Sequence, residues 1–511
     1  MPMPPSAASP ADASLLRRLW LGVSLYLLVN ALALGLMSGT ADQDQAEQLL
    51  RSQHWALGYG AQPPLYTYLV KLIFSVTGPA LWPLLLLKAI LLSLLVGAVL
   101  AIGRELGFRR DQQVLSLCGL ALIPQFIWEA QRDLTHSVLA TTVAAFTLLQ
   151  VLRLMRRATT GQFIGLGALA GLGLLSKYSF VVFLASLAIS AFTLPALRKV
   201  LWRPGLALAT ATALLVLAPH LSWMLQHGDQ ALAGLEKTQS MAGMAWKGLF
   251  SAVKAALAFL SPFWLVALAV LWPQRRQLRL ASPATAPGQA LLQRLPLVLV
   301  GVMLVFVLAT GATRVKDRWF QCLLFYAPLS VATLAAPIPR RRLRWLLGAG
   351  LGAAGAASLL LPGRTALAGL TGKTSRPNYP LPQLVAAIRD AGPPPGLQPR
   401  GGAPALIVAS NGLIGGNARL VFPAAPVVTP RAHRDGPAAS GPVLVLVDRD
   451  DDPAEVAELL LQLGPGATGT APLRLAEISR PELWGSGQRY TIRYAWLPQP
   501  GPSGAGPSLA P

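Results

Sequence analysis

Residues 80–102, ALWPLLLLKAILLSLLVGAVLAI, decide the class of the fold. A helix needs roughly 17–25 apolar residues to cross a bilayer, and this stretch has that length with a single charge, Lys88. Comparable apolar runs recur through the first 361 residues. We predict about eleven transmembrane helices, at 19–38, 80–102, 113–128, 134–152, 162–176, 179–196, 204–222, 249–272, 295–311, 319–337 and 345–361.

The composition also indicates a polytopic α-helical membrane protein. Of the 511 residues, 53% are hydrophobic and 13% are charged, which excludes an ordinary soluble domain. The net charge of +22 does not indicate a nucleic-acid partner, because the basic residues occur mostly in short turns between apolar runs. Nineteen of the 30 lysines and arginines before residue 362 fall on one side, which predicts a cytoplasmic N-terminus. With an odd number of spans, the C-terminal part is predicted to lie outside.

Changes in composition and hydrophobic pattern divide the chain into four predicted regions. These are a disordered segment at 1–16, a transmembrane domain at 17–361 whose first outer loop is 39–79, a small α/β domain at 362–500, and a disordered tail at 501–511. In the α/β domain, strands are predicted at 405–410, 442–448, 473–478 and 488–497, and a helix at 453–463. The outer loop 223–248 is predicted to hold a short interfacial helix.

Polar residues outside the inner loops gather where the predicted helices end on the outer face. They form five groups: Asp42/Asp44/Glu47, Glu129/Arg132/Asp133/Thr135/His136, Ser176/Lys177/Tyr178, Pro219/His220 and Arg314/Lys316/Asp317/Arg318/Trp319. A charge at membrane depth costs about 2.5–3.5 kcal/mol on insertion scales, so each one predicts a partner or a function. The cations suit an anionic ligand at the interface, such as a lipid phosphate.

Carboxylates beside cations favour group transfer from a phosphate-linked donor. One acid can remove a proton from the acceptor, while cations or a divalent metal stabilise charge on the departing phosphate. We predict Asp44 as general base and Asp133 as second acid. The predicted phosphate ligands are Lys177, Lys316, Arg318 and Arg132. Asp42, Glu47, Tyr59 and His136 are the predicted acceptor and loop residues, and Asp42, Asp44 and Glu47 are the possible ligands of Mg²⁺ or Mn²⁺.

Plainer interpretations of the same residues stay open. Asp42 and Asp44 can be ordinary loop acids, and Glu47 can lie on the solvated face of a helix near 44–55. Lys177 can be an anchor whose charged end reaches the interface. His136 follows Asp133 by three residues, which predicts a shared helical face. The histidines His54, His136 and His220 have no spacing specific for zinc.

Several motifs occur in a fixed order along the chain. They are Asp44-Gln-Ala-Glu47-Gln, Gly58-Tyr59-Gly-Ala-Gln-Pro63-Pro64-Leu-Tyr66, Trp128-Glu-Ala-Gln-Arg132-Asp133-Leu-Thr-His136, Gly171-Leu-Gly-Leu-Leu-Ser-Lys177-Tyr178, Arg318-Trp319, Arg376-Pro-Asn378-Tyr-Pro380 and Ser410-Asn411-Gly412. Together they resemble a bacterial branch of glycosyltransferase family 39. These are GT-C fold enzymes related to protein O-mannosyltransferases and the bacterial aminoarabinose transferase.

The resemblance implies a sugar transferase at the outer face of a bacterial inner membrane. Its donor would be a polyprenyl-phosphate-linked monosaccharide, and its acceptor an envelope lipid, glycan or protein. The family's first-loop acid falls on Asp44 and its second-loop acid on Asp133. The family commonly has Asp-Glu in the first loop, whereas this chain has Asp44-Gln45, so any help that the Glu gives to a metal or the acceptor would come from Asp42 or Glu47 here, or be absent.

Two other functions are compatible with parts of the pattern. A transporter or flippase of a lipid-linked substrate would place ionisable residues near the bilayer midplane, whereas here the charges gather at helix ends on one face. An inactive relative would bind a polyprenyl phosphate as a scaffold, and Gln45 is compatible with that alternative. The sequence favours the transferase.

Overall fold

A computed structural model describes residues 10–231, 245–278, 280–372, 374–397, 402–430, 441–463, 473–485 and 487–498. In chain order the α-helices are α1 (Pro10–Met37), α2 (Gln43–Arg51), α3 (Leu65–Thr77), α4 (Leu81–Glu105), α5 (Arg110–Ala121), α6 (Ala130–Arg132), α7 (His136–Arg156), α8 (Thr160–Ser176), α9 (Phe180–Phe192), α10 (Pro195–Leu201), α11 (Gly205–Gln226), α12 (Ala245–Leu260), α13 (Phe263–Leu271), α14 (Pro287–Thr310), α15 (Gln321–Leu324), α16 (Ala327–Leu334), α17 (Arg340–Ala366), α18 (Ala368–Thr371), α19 (Leu381–Ala391), α20 (Gly412–Val421) and α21 (Pro453–Leu463). A π-helix covers Gln125–Glu129, and 3₁₀-helices cover Trp272–Gln277, Asp317–Phe320 and Arg376–Asn378.

Two compact units make up the structure. The first, the membrane unit, comprises the chain up to Ala31, Ala56–Tyr66 and Leu86–Leu359. The second, the mixed unit, comprises Leu32–Trp55, Thr67–Leu85 and the chain from Leu360 onward. The predicted domain boundary at 361/362 stays a prediction.

The polytopic helical architecture predicted from sequence is confirmed. Within the described residues, six helices are long and apolar enough to cross a membrane, namely α1, α4, α7, α11, α14 and α17. Three more predicted spans are bent helix pairs, α5 with Gln125–Arg132 (67°), α9 with α10 (110°) and α12 with Phe263–Gln277 (73°). A proline begins or immediately precedes the second helix of each pair (Pro124, Pro195 and Pro262), and a proline disfavours the helical conformation of the residue before it.

The predicted span 162–176 corresponds to α8, an apolar helix of 17 residues. Two other details of the predicted helices need correction. The predicted span 319–337 is not continuous. It is divided between the 3₁₀-helix Asp317–Phe320, α15 and α16, and Pro328 stands at the start of α16, where its missing N–H is tolerated. Residues 10–16, predicted to be disordered, belong to α1.

Interhelical hydrogen bonds hold the interior of the membrane unit. The Asn30 side-chain amide donates to Gln131 Oε1 at 2.8 Å, and Ser358 Oγ donates to Asn30 Oδ1 at 2.8 Å. Gln131 in turn donates to the Ile127 carbonyl at 2.6 Å within the π-helix. Buried amides that satisfy one another in this way fix the register of helices surrounded by lipid.

A five-stranded sheet forms the core of the C-terminal part of the mixed unit. Its strands are β1 (Leu406–Ala409), β2 (Val427–Val428), β3 (Val443–Asp448), β4 (Ala476–Pro481) and β5 (Arg489–Leu497). The order is β2-β1-β3-β5-β4, parallel from β2 to β3 and antiparallel in the remaining pairs. The valines and leucines of β1 and β3 are buried, with Val456, Leu459 and Leu460 of α21 packed in the same core.

This sheet confirms most of the predicted strands. Those at 405–410, 442–448 and 488–497 and the helix at 453–463 match the observed elements closely, whereas β4 begins three residues later than predicted. Sequence analysis did not predict α19, α20 or the short β2. The middle of the loop 223–248, where an interfacial helix is predicted, lies outside the described residues (232–244), and so does the whole tail 501–511.

Candidate active site

The predicted base, Asp44, lies in the first turn of α2. This helix begins with a capping box: Asp42 Oδ1 accepts a hydrogen bond from the Gln43 N–H at 2.8 Å, and Gln45 Oε1 accepts one from the Asp42 N–H at 3.0 Å. Such reciprocal bonds satisfy donors that a helix N-terminus otherwise leaves unpaired. The helix dipole also favours a carboxylate at this end, so Asp44 is held on a capped helix rather than in a loose loop.

Helix α20 packs directly on the backbone of α2. Asn417 accepts a hydrogen bond from the Ala41 N–H at 2.8 Å and donates one to the Ala41 carbonyl at 3.1 Å. A Cβ atom on Gly416 would lie 2.4 Å from the Ala46 carbonyl oxygen and 2.5 Å from its Cα. Glycine is therefore required at position 416 for the two helices to approach this closely.

Two cations cover the C-terminal end of α2. Arg419, which is buried, donates to the Leu49 carbonyl and, at 3.3 Å, to Ser52 Oγ. Lys71 Nζ donates to the carbonyls of Ser52 at 3.1 Å and Gln53 at 3.0 Å. Burial lowers the pKa of Arg419 to about 10, so it remains a cation at neutral pH. Burial and then the charge of Arg419 lower the pKa of Lys71. Cations suit this end of a helix, where carbonyl groups point outward.

Asp42 and Glu47 have cationic partners within the mixed unit. The Asp42 carboxylate is buried, with Arg376 at 3.5 Å and Arg364 at 3.9 Å. Glu47 pairs with Arg51 one turn along α2, at 2.5 Å. These partners do not fit the predicted use of Asp42 and Glu47 as ligands of Mg²⁺ or Mn²⁺. A guanidinium cation already lies within 4 Å of the carboxylate oxygens that would have to bind the metal. No cluster of three or more His, Cys, Asp or Glu side chains suited to a metal occurs in the described part of the chain.

In the membrane unit, Lys177 and His136 meet at one junction. Lys177 follows the end of α8, and its Nζ donates to Ser137 Oγ at 2.6 Å in the first turn of α7. His136 Nδ1 lies 3.3 Å from the Ser176 carbonyl, and its ring packs against that of Tyr66 with centroids 5.4 Å apart. The structure therefore brings together two predicted site residues that are 41 positions apart in sequence.

Arg132 and Asp133 lie at the end of the bent segment that precedes α7. Arg132 pairs with Glu129 at 2.9 Å, so this predicted phosphate ligand already has an anionic neighbour. Asp133 is buried and stands just after α6, where the backbone leaves the helical conformation. Because α7 begins only at His136, the prediction that Asp133 and His136 share one helical face is wrong.

Tyr59 lies in the segment Ala56–Tyr66, which is attached to α11. His220 Nδ1 donates to the Leu57 carbonyl at 2.7 Å, which leaves Nε2 as acceptor for the Tyr178 hydroxyl at 3.2 Å. A Cβ atom on Gly58 would lie 2.2 Å from the Trp223 ring. The Tyr59 hydroxyl accepts a hydrogen bond from the Ala56 N–H at 3.2 Å, so this hydroxyl is bonded within its own segment.

Lys316 and Arg318 are exposed and flank Asp317 at the start of a 3₁₀-helix. Asp317 accepts from the Gln125 side chain at 2.6 Å and from the Arg318 N–H at 2.8 Å. The two cations therefore project from an anchored segment, a position open to an anionic ligand.

Comparisons with known proteins agree with this architecture. The sequence model of the family described as dolichyl-phosphate-mannose-protein mannosyltransferase matches residues 61–223. The lipopolysaccharide core galacturonosyltransferase RgtA of Rhizobium johnstonii is 30% identical over 93% of this chain and 96% of its own length. RgtB of the same organism, which carries the same description, is 29% identical over 91% of this chain and 94% of its own.

A solved structure shares the fold. ArnT from Cupriavidus metallidurans in the apo state aligns with a TM-score of 0.55 and 15% identity, covering 94% of this chain and 98% of ArnT. The form of ArnT bound to undecaprenyl phosphate aligns with a TM-score of 0.54, also at 15% identity, covering 93% of this chain and 97% of ArnT. From its length-wide identity to RgtA, the chain belongs to the GT-C family of membrane glycosyltransferases that contains the bacterial galacturonosyltransferases.

Proposed function

We propose that this glycosyltransferase moves a uronic acid residue from a polyprenyl phosphate to a hydroxyl group of an envelope glycolipid. The support for the sugar and the acceptor is that the relatives aligned over nearly the whole chain are named lipopolysaccharide core galacturonosyltransferases. Family membership favours the transferase over the transporter. The scaffold alternative is separated from it by an assay of turnover.

The observation that carries the proposed chemistry is the placement of Asp44. It stands in the first turn of α2, which is capped by Asp42 and fixed at its other end by Arg419 and Lys71. In the proposed reaction, Asp44 takes the proton of the acceptor hydroxyl as its oxygen attacks the anomeric carbon of the donor sugar. The bond from that carbon to the phosphate oxygen breaks, and the polyprenyl phosphate leaves with the electron pair.

Cations are proposed to bind the phosphate group. Lys177 is the leading residue, because Ser137 holds its amine at the junction of α7 and α8. Lys316, Arg318 and Arg132 are proposed to add positive charge, and Asp133 is proposed as the second acid. Tyr59 and His136 remain proposed acceptor residues. The proposed steps do not use a metal, because the partners of Asp42 and Glu47 do not fit one.

We propose that the reaction takes place at the outer face of a bacterial inner membrane. The support is the concentration of arginines in alternate turns, which indicates a cytoplasmic N-terminus and an outer C-terminal part. Alkaline phosphatase fused after residue 498 should be active, and the same enzyme fused after Arg342 should be inactive. The reverse pattern would overturn the orientation.

The function is tested with the full chain in lipid nanodiscs. Radiolabelled polyprenyl phosphates carrying galacturonic acid, galactose or mannose are offered with lipopolysaccharide core as acceptor. Wild type should transfer galacturonic acid, and Asp44→Asn should lower kcat by about 10²–10⁴-fold, the usual contribution of a general base, with donor binding intact. The control is Asp390→Asn, which removes an exposed acid of α19.

Two results would contradict the proposal. Donor binding without transfer by the wild type would favour a scaffold. Full activity in Asp44→Asn would remove Asp44 from the role of base.

A further inference from the structure

Two arginines converge on the carboxylate that caps the Asp44 helix. Arg376 Nη1 lies 3.5 Å from Asp42 Oδ1, and Arg364 Nη2 lies 3.9 Å from Asp42 Oδ2. All three residues belong to the mixed unit. The two arginines come from the last turn of α17 and from the 3₁₀-helix Arg376–Asn378.

Neither separation is that of a tight ion pair. Charge-assisted hydrogen bonds between a guanidinium group and a carboxylate are about 2.7–2.9 Å long, and bidentate pairing uses two of them in parallel. Asp42 Oδ1 also accepts a hydrogen bond from the Gln43 N–H. Through these atoms, Asp42 contacts both guanidinium groups at once.

Arg376 and Asp42 differ in exposure. The side chain of Arg376 is 47% exposed, while that of Asp42 is 3% exposed. Much of the Arg376 side chain can therefore be reached from outside, next to a buried negative charge that fixes its position. A planar guanidinium group matches the geometry of a second carboxylate.

The pair also lies beside the proposed chemistry. Asp42 is the residue before α2, and Asp44 is two residues further on, in its first turn. A group bound by Arg364 and Arg376 would therefore lie near the proposed base. In a uronic acid, the carboxylate and the reacting anomeric carbon belong to one sugar ring, so the two are only a few bonds apart.

We propose that Arg364 and Arg376 bind the carboxylate of the transferred uronic acid and thereby select it over a neutral sugar. Asp42 is a positioning residue that holds the two guanidinium groups in place. This inference rests on the proposed function, because it assigns a recognition element to the sugar of the same reaction.

The test compares two donors that differ in one group. Short-chain polyprenyl phosphates carrying galacturonic acid or galactose are used with one acceptor and the full chain in nanodiscs. In Arg376→Gln and Arg364→Gln, kcat/KM for galacturonic acid should fall roughly 10–100-fold, because a charged partner is lost. The value for galactose should change less than about threefold, so the preference between the sugars collapses.

Two further variants sharpen the comparison. Arg376→Lys keeps the charge without the planar fork and should retain part of the preference. Asp42→Asn keeps a good helix cap while removing the charge that holds the arginines, so the preference should fall while α2 stays formed. Arg389→Gln on α19 is the matched control, since Arg389 pairs with its exposed neighbour Asp390.

The outcomes separate this inference from the function on which it rests. Losses of equal size for both donors, with galacturonic acid still transferred by the wild type, would overturn the role of the arginines alone. No transfer of either sugar by the wild type would overturn the proposed function, and this inference with it. If Arg364→Gln does not fold, the variants of the half-exposed Arg376 decide the question.

Discussion

Asn417 binds both polar groups of the Ala41 backbone, accepting its N–H at 2.8 Å and donating to its carbonyl at 3.1 Å. Ala41 immediately precedes the cap of α2, and Asn417 lies in the middle of α20. A single buried side chain therefore holds the backbone just before the helix that carries the proposed base. The position of Asp44 depends on residues that a local view of the first loop does not include.

Asn417→Leu removes both hydrogen bonds at nearly constant volume. We expect the unfolding free energy to fall by about 1–3 kcal/mol, because the Ala41 N–H and carbonyl are left buried without these partners. The transfer rate should fall as well, because α2 loses its anchor. Thermal unfolding and kcat are measured together. A variant that keeps wild-type kcat would show that this anchor is not needed for turnover.

Gly416→Ala tests the close approach of α20 to α2. The added Cβ would overlap the Ala46 backbone, and we expect about 1–3 kcal/mol of destabilisation from overpacking. Gly412→Ala in the same helix is the matched control, since a Cβ there would lie 3.6 Å from Leu50 Cδ1, an ordinary contact. Equal melting temperatures for the two variants would contradict the close backbone contact.

Arg419→Met removes the buried cation from the end of α2. We expect a loss of about 1.5–3 kcal/mol, the usual size of a hydrogen bond to a charged group. Because the pKa of Arg419 is lowered only to about 10, its charge does not change between pH 6 and pH 8. Titration of Arg419 raises folded stability only as pH climbs from about 10 toward its ordinary value. The difference between variant and wild type should therefore be the same at pH 6 and pH 8, and a clear change would point to another titrating group.

Gly58→Ala tests the contact between Ala56–Tyr66 and α11. The new Cβ would overlap the Trp223 ring, so the variant should be less stable than wild type. The double variant Gly58→Ala/Trp223→Leu should recover part of the loss, a coupling of about 0.5–3 kcal/mol that melting in detergent can measure. Strict additivity of the two changes would mean that the residues do not meet.

Lys177→Gln tests the proposed phosphate ligand. Removing the cation should raise the donor KM by roughly 10–100-fold, with the acceptor KM unchanged, because the lost interaction is with the phosphate. Ser137→Ala, which removes the partner that holds Lys177, should give a smaller rise in the same constant. An increase in acceptor KM alone would move Lys177 away from the donor.

The membrane part of the fold follows from local chemistry, which is why sequence could predict it. An apolar run as long as 80–102 is favourable in the bilayer interior and unfavourable in water. In the bilayer its backbone hydrogen bonds must be satisfied within the segment, so the run forms a helix. The breaks within the predicted spans were harder to predict from sequence. Pro328 and Pro195 lie in apolar stretches, and hydrophobicity alone does not show that a proline begins a new helix by disfavouring the helical conformation of the residue before it.

The candidate site could be predicted only in part. The acids and Lys177 were visible as charges at helix ends, and the capping box around Asp42 and Gln45 has a sequence signature that was missed. Arg364, Asn417 and Arg419 carried no such signal, because their partners are hundreds of residues away. Pairing over such separations depends on tertiary packing, which a single sequence does not encode in any short pattern.

The hydrogen bonds between Asn417 and Ala41 also have a consequence during synthesis of the chain, because one partner is made long before the other. The two residues are 376 positions apart, so the segment with the proposed base leaves the ribosome long before α20 exists. Until α20 has been made, α2 has its cap Asp42 and the nearby Lys71 but lacks Asn417 and Arg419. The segment that carries Asp44 is therefore made and inserted before the residues of α20 that contact it, Asn417 and Arg419.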